Sequence, residues 1–374
     1  MIMVGRTFIA CTLFFILLNL IVPDRKSSEQ ENRMLTQKPD LNMSDVLSGH
    51  YMQQYEDYLS DQFAGRSFWR SFKIGLNRLG GSREENGVFL GKRSQLLEDV
   101  VTPDPEALSK NLEAIKSYSD RYPDVNKYMI LVPDAAEVLG DRLPPLATVA
   151  NQTRMINHVK SELGDSLKWI DAAKALKRHA DEKIYYKTDH HWTSLGAFLT
   201  FQEAAETMGI QTDFSSGFAS YPVTTSFNGM LASKSGYALD VMEEISIYVP
   251  RGEDNEVLVN YVDEQKRTTS IYDSSKLKTR DKQAVFLGGN TSVIDIKTLA
   301  SGNRRLLIVK DSFANSFVQF LTPFFREIII VDPRYYTGTI DEVMNTYRIS
   351  DVLFLYRGNT FFQDNNISGV MSSD

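Results

Sequence analysis

Two short stretches carry residue types that can do chemistry. Residues 188–193 read Thr188-Asp189-His190-His191-Trp192-Thr193, and residues 310–316 read Lys310-Asp311-Ser312-Phe313-Ala314-Asn315-Ser316. A serine hydroxyl is a weak nucleophile and needs a neighbouring base. Asp189 and His191 are two residues apart, so on an extended segment both project to one face. The carboxylate then accepts from the imidazole and fixes its tautomer, which leaves the other ring nitrogen to take the Ser312 proton. Ser312, His191 and Asp189 are thus a candidate triad. Each piece also has a plainer use. An Asp-Ser pair ahead of a helix is usually an N-cap, and a His-His pair is more often surface or core. Their joint occurrence is what points to acyl chemistry.

The elements that must position these residues follow from periodicity. Residues 305–310 (RLLIVK) read as a buried strand leading into a helix over 313–321. Such a junction presents a hydroxyl at the carboxyl edge of a parallel sheet and aims free helix N–H groups at an oxyanion. Further strands are expected at 127–133, 166–171, 326–331 and 351–356, with helices at 105–122, 151–163, 194–208 and 340–347. Apolar strands alternating with amphipathic helices predict an α/β fold, a parallel sheet with helices on both faces. Residues 211–282 break the rhythm with short strands at 245–249 and 257–262, and read as an inserted β-rich cap. Residues 51–79 read as an aromatic-rich helical stretch, ended by Gly80-Gly81. The expected domains are 1–22 as a signal anchor or uncleaved signal, 23–50 as a linker, and 51–374 as the α/β domain.

Composition narrows the class. The chain has 374 residues, 42% hydrophobic and 24% charged, which excludes wholesale disorder and a polytopic membrane protein. With 41 Lys+Arg against 48 Asp+Glu the net charge is −7, which argues against nonspecific nucleic-acid binding. The single cysteine, Cys11, excludes an internal disulfide, a Cys-ligated zinc and an Fe–S cluster. Neither a metal nor a cofactor is expected.

Residues 7–22 run sixteen positions without a charge. With the apolar start of the chain they approach the roughly 20 residues of a membrane span. No small-x-small cleavage pattern follows. Arg6 stands alone before the segment, while Arg25, Lys26, Arg33 and Lys38 follow it, which taken alone opposes an outside C-terminus. A signal-like segment this early leads the chain out, so the catalytic part is expected outside the cytoplasm, anchored to the membrane or secreted.

TDHHWTSLGAF together with VKDSFANS resembles the DHHW-motif branch of the SGNH-hydrolase-like proteins, which are similar to the alginate O-acetylation proteins. ENRML at 31–35, YLSDQFAGR at 58–66, SFNGMLASKSG at 226–236, FLGGN at 286–290 and VDPRYY at 331–336 extend the likeness over most of 31–357. The resemblance implies a permuted SGNH-like three-layer fold, with the Asp-x-His pair ahead of the serine in the chain. It implies catalytic roles for Asp189, His191 and Ser312. Oxyanion donors are the Ser312 N–H, then Gly289 and Asn290. Trp192, Arg334 and Tyr335 are candidates for lining a sugar cleft. Lys310 stands where the alginate proteins have glycine.

The reading that follows is an extracytoplasmic O-acetyltransferase acting on a cell-surface or secreted polysaccharide. The resemblance implies a membrane partner that supplies acetyl groups. The rivals are a carbohydrate acetylesterase of the same fold and a non-catalytic polysaccharide-binding scaffold. A manganese phosphoesterase of the Asp-His-His type is disfavoured, since that chemistry needs further aspartates and Trp192 follows the pair.

Overall fold

In the computed structural model of the chain, residues 2–28, 31, 33–252 and 256–372 are described. Met1 of the expected anchor, Asn32 of the 31–35 stretch and residues 253–255 of the expected insertion lie outside the described residues. The chain divides into two compact units: Met1–Asn86 with Ala232–Leu239, and Gly87–Leu231 with Asp240–Asp374.

The first unit holds α1 (Ile2–Ile21), α2 (Met43–Leu47), α3 (His50–Gln62) and α4 (Arg66–Leu79). α1 is apolar on all sides, and its stretch Met3–Ile21 is long and apolar enough to cross a membrane. α3 and α4 fall in this unit, where they pack with the N-terminal segment. The Phe15 ring lies 5.9 Å from that of Phe63 and 5.8 Å from that of Trp69. The 31–35 and 58–66 stretches meet as an ion-pair knot. Arg33 donates to buried Asp61 at 2.7 Å, and Arg66 pairs with Glu31. The Arg33 hydrogen bond holds the Asp61 carboxyl below its usual range, against the cost of burial.

The second unit is built on an eight-stranded sheet. Its strands are β1 (Asn126–Val132), β2 (Lys168–Ile170), β5 (Val257–Tyr261), β6 (Lys266–Thr268), β7 (Val293–Thr298), β8 (Arg305–Lys310), β9 (Glu327–Val331) and β10 (Asp351–Arg357), with β3 (Phe218–Phe227) and β4 (Glu243–Pro250) forming a separate hairpin. The order is β6-β5-β7-β9-β8-β10-β1-β2. The five strands from β9 to β2 are parallel, in registers such as Leu307 opposite Ile329 and Leu355 opposite Ile130. The three at the other end are antiparallel.

Successive residues of each parallel strand enter two different cores, as the period-two geometry requires. Ile130, Ile308, Ile330 and Leu355 face one core, with Phe201 and Ala204 of α8 (Ser194–Thr207). Met129, Val309, Val331 and Phe354 face the other, with Ile115 of α5 (Pro105–Arg121), Val159 of α6 (Gln152–Leu163) and Val343 of α9 (Ile340–Tyr347). The helix α7 (Ala172–Arg178) packs on the first face.

Two expectations change. The region 211–282 is not one cap: among the described residues β3 and β4 pair only with each other, while β5 and β6 extend the main sheet. The helix expected over 313–321 is two short 3-10 segments, Ser312–Ser316 and Val318–Phe320. Phe313, Phe317 and Phe320 are all fully buried, and the tighter turn drives them into the core.

Candidate active site

Ser312 sits where β8 ends. Asp311 caps the following turn: one carboxylate oxygen accepts the Phe313 N–H at 2.9 Å, and the other accepts the Arg357 N–H at 3.0 Å. The carboxylate is fully buried, so its work is to hold the turn against β10. Ser312 itself is partly exposed. As the first residue of its 3-10 turn, its N–H has no partner inside the turn.

The histidine comes from a compact turn rather than an extended segment. Tyr185 and Trp192 form an antiparallel bridge, and the Tyr186 N–H donates to the His191 carbonyl at 3.2 Å. Within this loop one oxygen of Asp189 accepts both the His191 backbone N–H, at 2.9 Å, and His191 Nδ1, at 2.6 Å. The other oxygen accepts the Met230 N–H at 2.8 Å. His191 Nε2 lies 2.9 Å from Ser312 Oγ. Asp189, His191 and Ser312 therefore form one hydrogen-bonded chain, although 121 residues separate His191 from Ser312.

Several residues hold this chain in register. Glu243 on β4 accepts the N–H groups of Lys187 and Thr188 at 2.8 and 2.9 Å, and the Thr188 hydroxyl at 2.7 Å. Gly229 passes so close to Asp189 that an added Cβ would stand 2.3 Å from the aspartate Cβ. At Gly196 a Cβ would meet the Ile184 carbonyl at 2.4 Å, which lets α8 start directly behind the turn.

Electrostatics fixes the protonation states. Burial alone would raise the Asp189 pKa, but the two neighbouring histidines and the hydrogen bonds hold it well below the carboxylate range. Burial, and then the charge of His191, lowers the His190 pKa to about 3, so this ring stays neutral. Asp189, His190 and His191 place ligand-type atoms within 4.8 Å of one another. Both ring nitrogens of His191 are already in hydrogen bonds, and both oxygens of Asp189 accept them. These bonds join Asp189 to His191 and, through His191, to Ser312.

The family model for DHHW proteins matches residues 123–331, more than half of the chain. The chain belongs to the DHHW protein family. Among solved structures, a DHHW family protein from Eubacterium siraeum is 22% identical with a TM-score of 0.65, over 78% of this chain and 98% of that one. Bacillus cereus PatB1, solved with a sulfonyl adduct, is 21% identical with a TM-score of 0.64, over 76% and 98%. The O-acetyltransferase domain of Pseudomonas putida AlgJ is 14% identical with a TM-score of 0.48, over 76% and 95%. The first two share the fold. Comparison with curated protein sequences gives no match.

In this DHHW protein the tryptophan of the motif does not line a cleft. Trp192 is fully buried, and its indole stacks on Phe317 at 6.0 Å. Its N–H donates to the Phe313 carbonyl at 3.1 Å and to Ser316 Oγ at 3.0 Å. It ties the histidine turn to the serine turn, so it positions the site and offers no face to a sugar. Arg334 and Tyr335 lie beyond the carboxyl end of β9, with the guanidinium 5.6 Å from the centre of the tyrosine ring. Arg334 is committed to Asp332 through two bonds of 2.8 and 2.6 Å, whereas Tyr335 is 52% exposed.

Lys310 is the residue whose part the sequence conceals. It is fully buried at the end of β8, and its ammonium donates to Asn315 Oδ1 at 2.8 Å, Asn290 Oδ1 at 3.0 Å and Asp332 Oδ2 at 3.3 Å. Asn315 Nδ2 also donates to Asn290 Oδ1, at 3.0 Å. The Gly289-Asn290 loop is thereby stitched to the serine turn, with the Asn290 oxygen doubly used and its NH2 turned away from the lysine. Glu243, Gly229, Met230 and Lys310 all escape a reading by residue type. They act through distance in space, and their residue types do not announce the contacts they make.

Proposed function

We propose that this protein is an extracytoplasmic O-acetyltransferase that modifies a cell-envelope polysaccharide through a serine acyl-enzyme. The observation that carries the reading is the relay of 2.9 Å from Ser312 Oγ to His191 Nε2 and 2.6 Å from His191 Nδ1 to Asp189. In the first half-reaction Ser312 Oγ attacks the acetyl carbonyl while its proton passes to His191 Nε2. The donor's oxygen leaves and takes that proton, and acetyl-Ser312 remains. In the second, a sugar hydroxyl gives its proton to His191 and attacks the acetyl group. Ser312 regains a proton as the acetylated sugar departs. Asp189, ionised throughout, orients the ring and stabilises its charged form. The Ser312 N–H is the first donor to the oxyanion, with the Asn290 side-chain NH2 as the second, since the Gly289 N–H already donates to the Phe286 carbonyl at 3.2 Å. α1 anchors the chain, and a membrane partner brings acetyl groups to it.

The test uses an activated acetyl ester with and without a deacetylated envelope polysaccharide. Acetyl groups appearing on the polymer, and lost by about 10³-fold or more in Ser312→Ala, support the reading. Release of free acetate alone, unaffected by polymer, assigns an esterase instead. A sulfonyl fluoride gives an independent probe, and the Bacillus cereus neighbour was solved with a sulfonyl adduct. A chain that takes up no label at Ser312 has no activated serine, and the reading fails.

A further inference from the structure

The helix α4 faces the wrong way for a soluble protein. Its polar face turns inward. Arg70 donates to the carbonyls of Ser233 and Lys234 at 2.8 and 2.6 Å, Arg66 pairs with Glu31, and Asn77 donates to Glu85. At 100° per residue the opposite arc holds Phe68, Phe72, Leu76 and Leu79, which are 63%, 51%, 53% and 86% exposed. A surface helix normally packs its apolar stripe against the core. A continuous outward row of aromatic and leucine side chains marks a surface that is covered in use.

What covers it is set by α1. Phe15 stands in ring contact with Phe63 and Trp69, and Asn19 Oδ1 accepts the Ala64 N–H at 2.7 Å. Phe15 lies six residues before the end of α1 at Ile21, which is about 9 Å along the axis. With α1 across a bilayer, the turn before α4 and the ring of Trp69 are held at the boundary of acyl chains and headgroups. That is the depth, about 5–10 Å, to which interfacial helices bury their apolar faces, and tryptophan favours it. Lys73, 70% exposed although 3.8 Å from Glu85, and Arg78 sit outside the apolar arc, where long cationic side chains reach headgroup phosphates.

We propose that α4 lies in the bilayer interface, with Phe68, Phe72, Leu76 and Leu79 among the lipid chains, as a second membrane contact beside the α1 anchor. The inference rests on α1 as a membrane helix, which is part of the proposed function.

The test uses the full chain with Cys11→Ser, which removes the only cysteine, reconstituted in phosphatidylcholine–phosphatidylglycerol vesicles. Fluorophores are placed singly at Phe68→Cys, Phe72→Cys, Leu76→Cys and, exposed but outside the apolar arc, Lys73→Cys. Quenching by a nitroxide carried on the lipid chain is expected to be several-fold stronger at the first three than at Lys73→Cys. Iodide quenching should show the reverse order. Strong iodide quenching at all four means that α4 stands in water. Protection from both quenchers means that a second copy or another protein covers the face. Either result overturns the inference while vesicle flotation still reports α1 inserted. A chain that does not float with vesicles refutes the anchor itself.

Discussion

Trp192 and Phe313 are joined by one hydrogen bond of 3.1 Å, from the indole N–H to the backbone carbonyl beside Ser312. Through it the turn that carries the imidazole and the turn that carries the hydroxyl become a single rigid piece. In Trp192→Phe the ring volume is largely kept and the buried carbonyl is left without this donor, at a cost of about 1–3 kcal/mol. The catalytic cost is larger than the packing cost, because small displacements of reacting groups are expensive. We expect kcat to fall about ten- to a hundredfold with KM unchanged. Steady-state kinetics beside thermal melting checks both figures.

Acid sensitivity should trace partly to His190. Its folded pKa of about 3 lies below the ordinary 6.5, so between these values the unfolded chain binds more protons than the folded one. Stability from this position is intact above the ordinary value and declines as pH falls toward the folded one. The melting temperature of His190→Gln should therefore fall less steeply than that of the parent protein between pH 6.5 and pH 3. Parallel curves over that window would contradict the assignment.

Lys310→Met removes a fully buried cation from a cluster whose anion, Asp332, keeps Arg334. The loss is expected near about 3 kcal/mol, the low end for a broken buried pair, because the remaining arginine limits the damage. The side-chain oxygens of Asn290 and Asn315 lose their ammonium donor at the same time. Turnover should drop further than stability explains, and denaturant titration of the variant beside its kinetics separates the two effects.

Gly229→Ala tests the backing of the aspartate. The new methyl would stand 2.3 Å from Asp189 Cβ and 2.5 Å from its carboxylate. Overpacking of this kind costs about 1–3 kcal/mol, and the aspartate must move away from His191 Nδ1. A folded variant with kcat lowered about a hundredfold is the expected outcome. Full activity would mean that the 2.6 Å bond is not needed.

The central parallel strands were legible because they are buried on both faces and so read as apolar runs, as in residues 306–309 and 328–331. The meeting of Asp189, His191 and Ser312 was legible because each residue type suits only a few tasks. β7 was not, since Asp295 and Lys297 interrupt its pattern. Nor was the 3-10 geometry after Ser312, where propensity suggests a helix and a buried aspartate with three phenylalanines imposes a tighter path. Trp192 could not be placed from sequence for a simple reason: an aromatic beside a histidine looks the same whether it faces solvent or core. Glu243 lies more than fifty residues from the turn it clamps, and no local pattern announces such a clamp.

The large sheet stops, at both margins, in strands of three residues, Lys266–Thr268 and Lys168–Ile170. Unpaired main-chain groups on a long, flat margin would invite another molecule to add its own strand. Here the offer is short, and lysine or arginine guards each side. The main sheet therefore gives a growing fibril almost no template, and it gains that protection from the brevity of two minor segments.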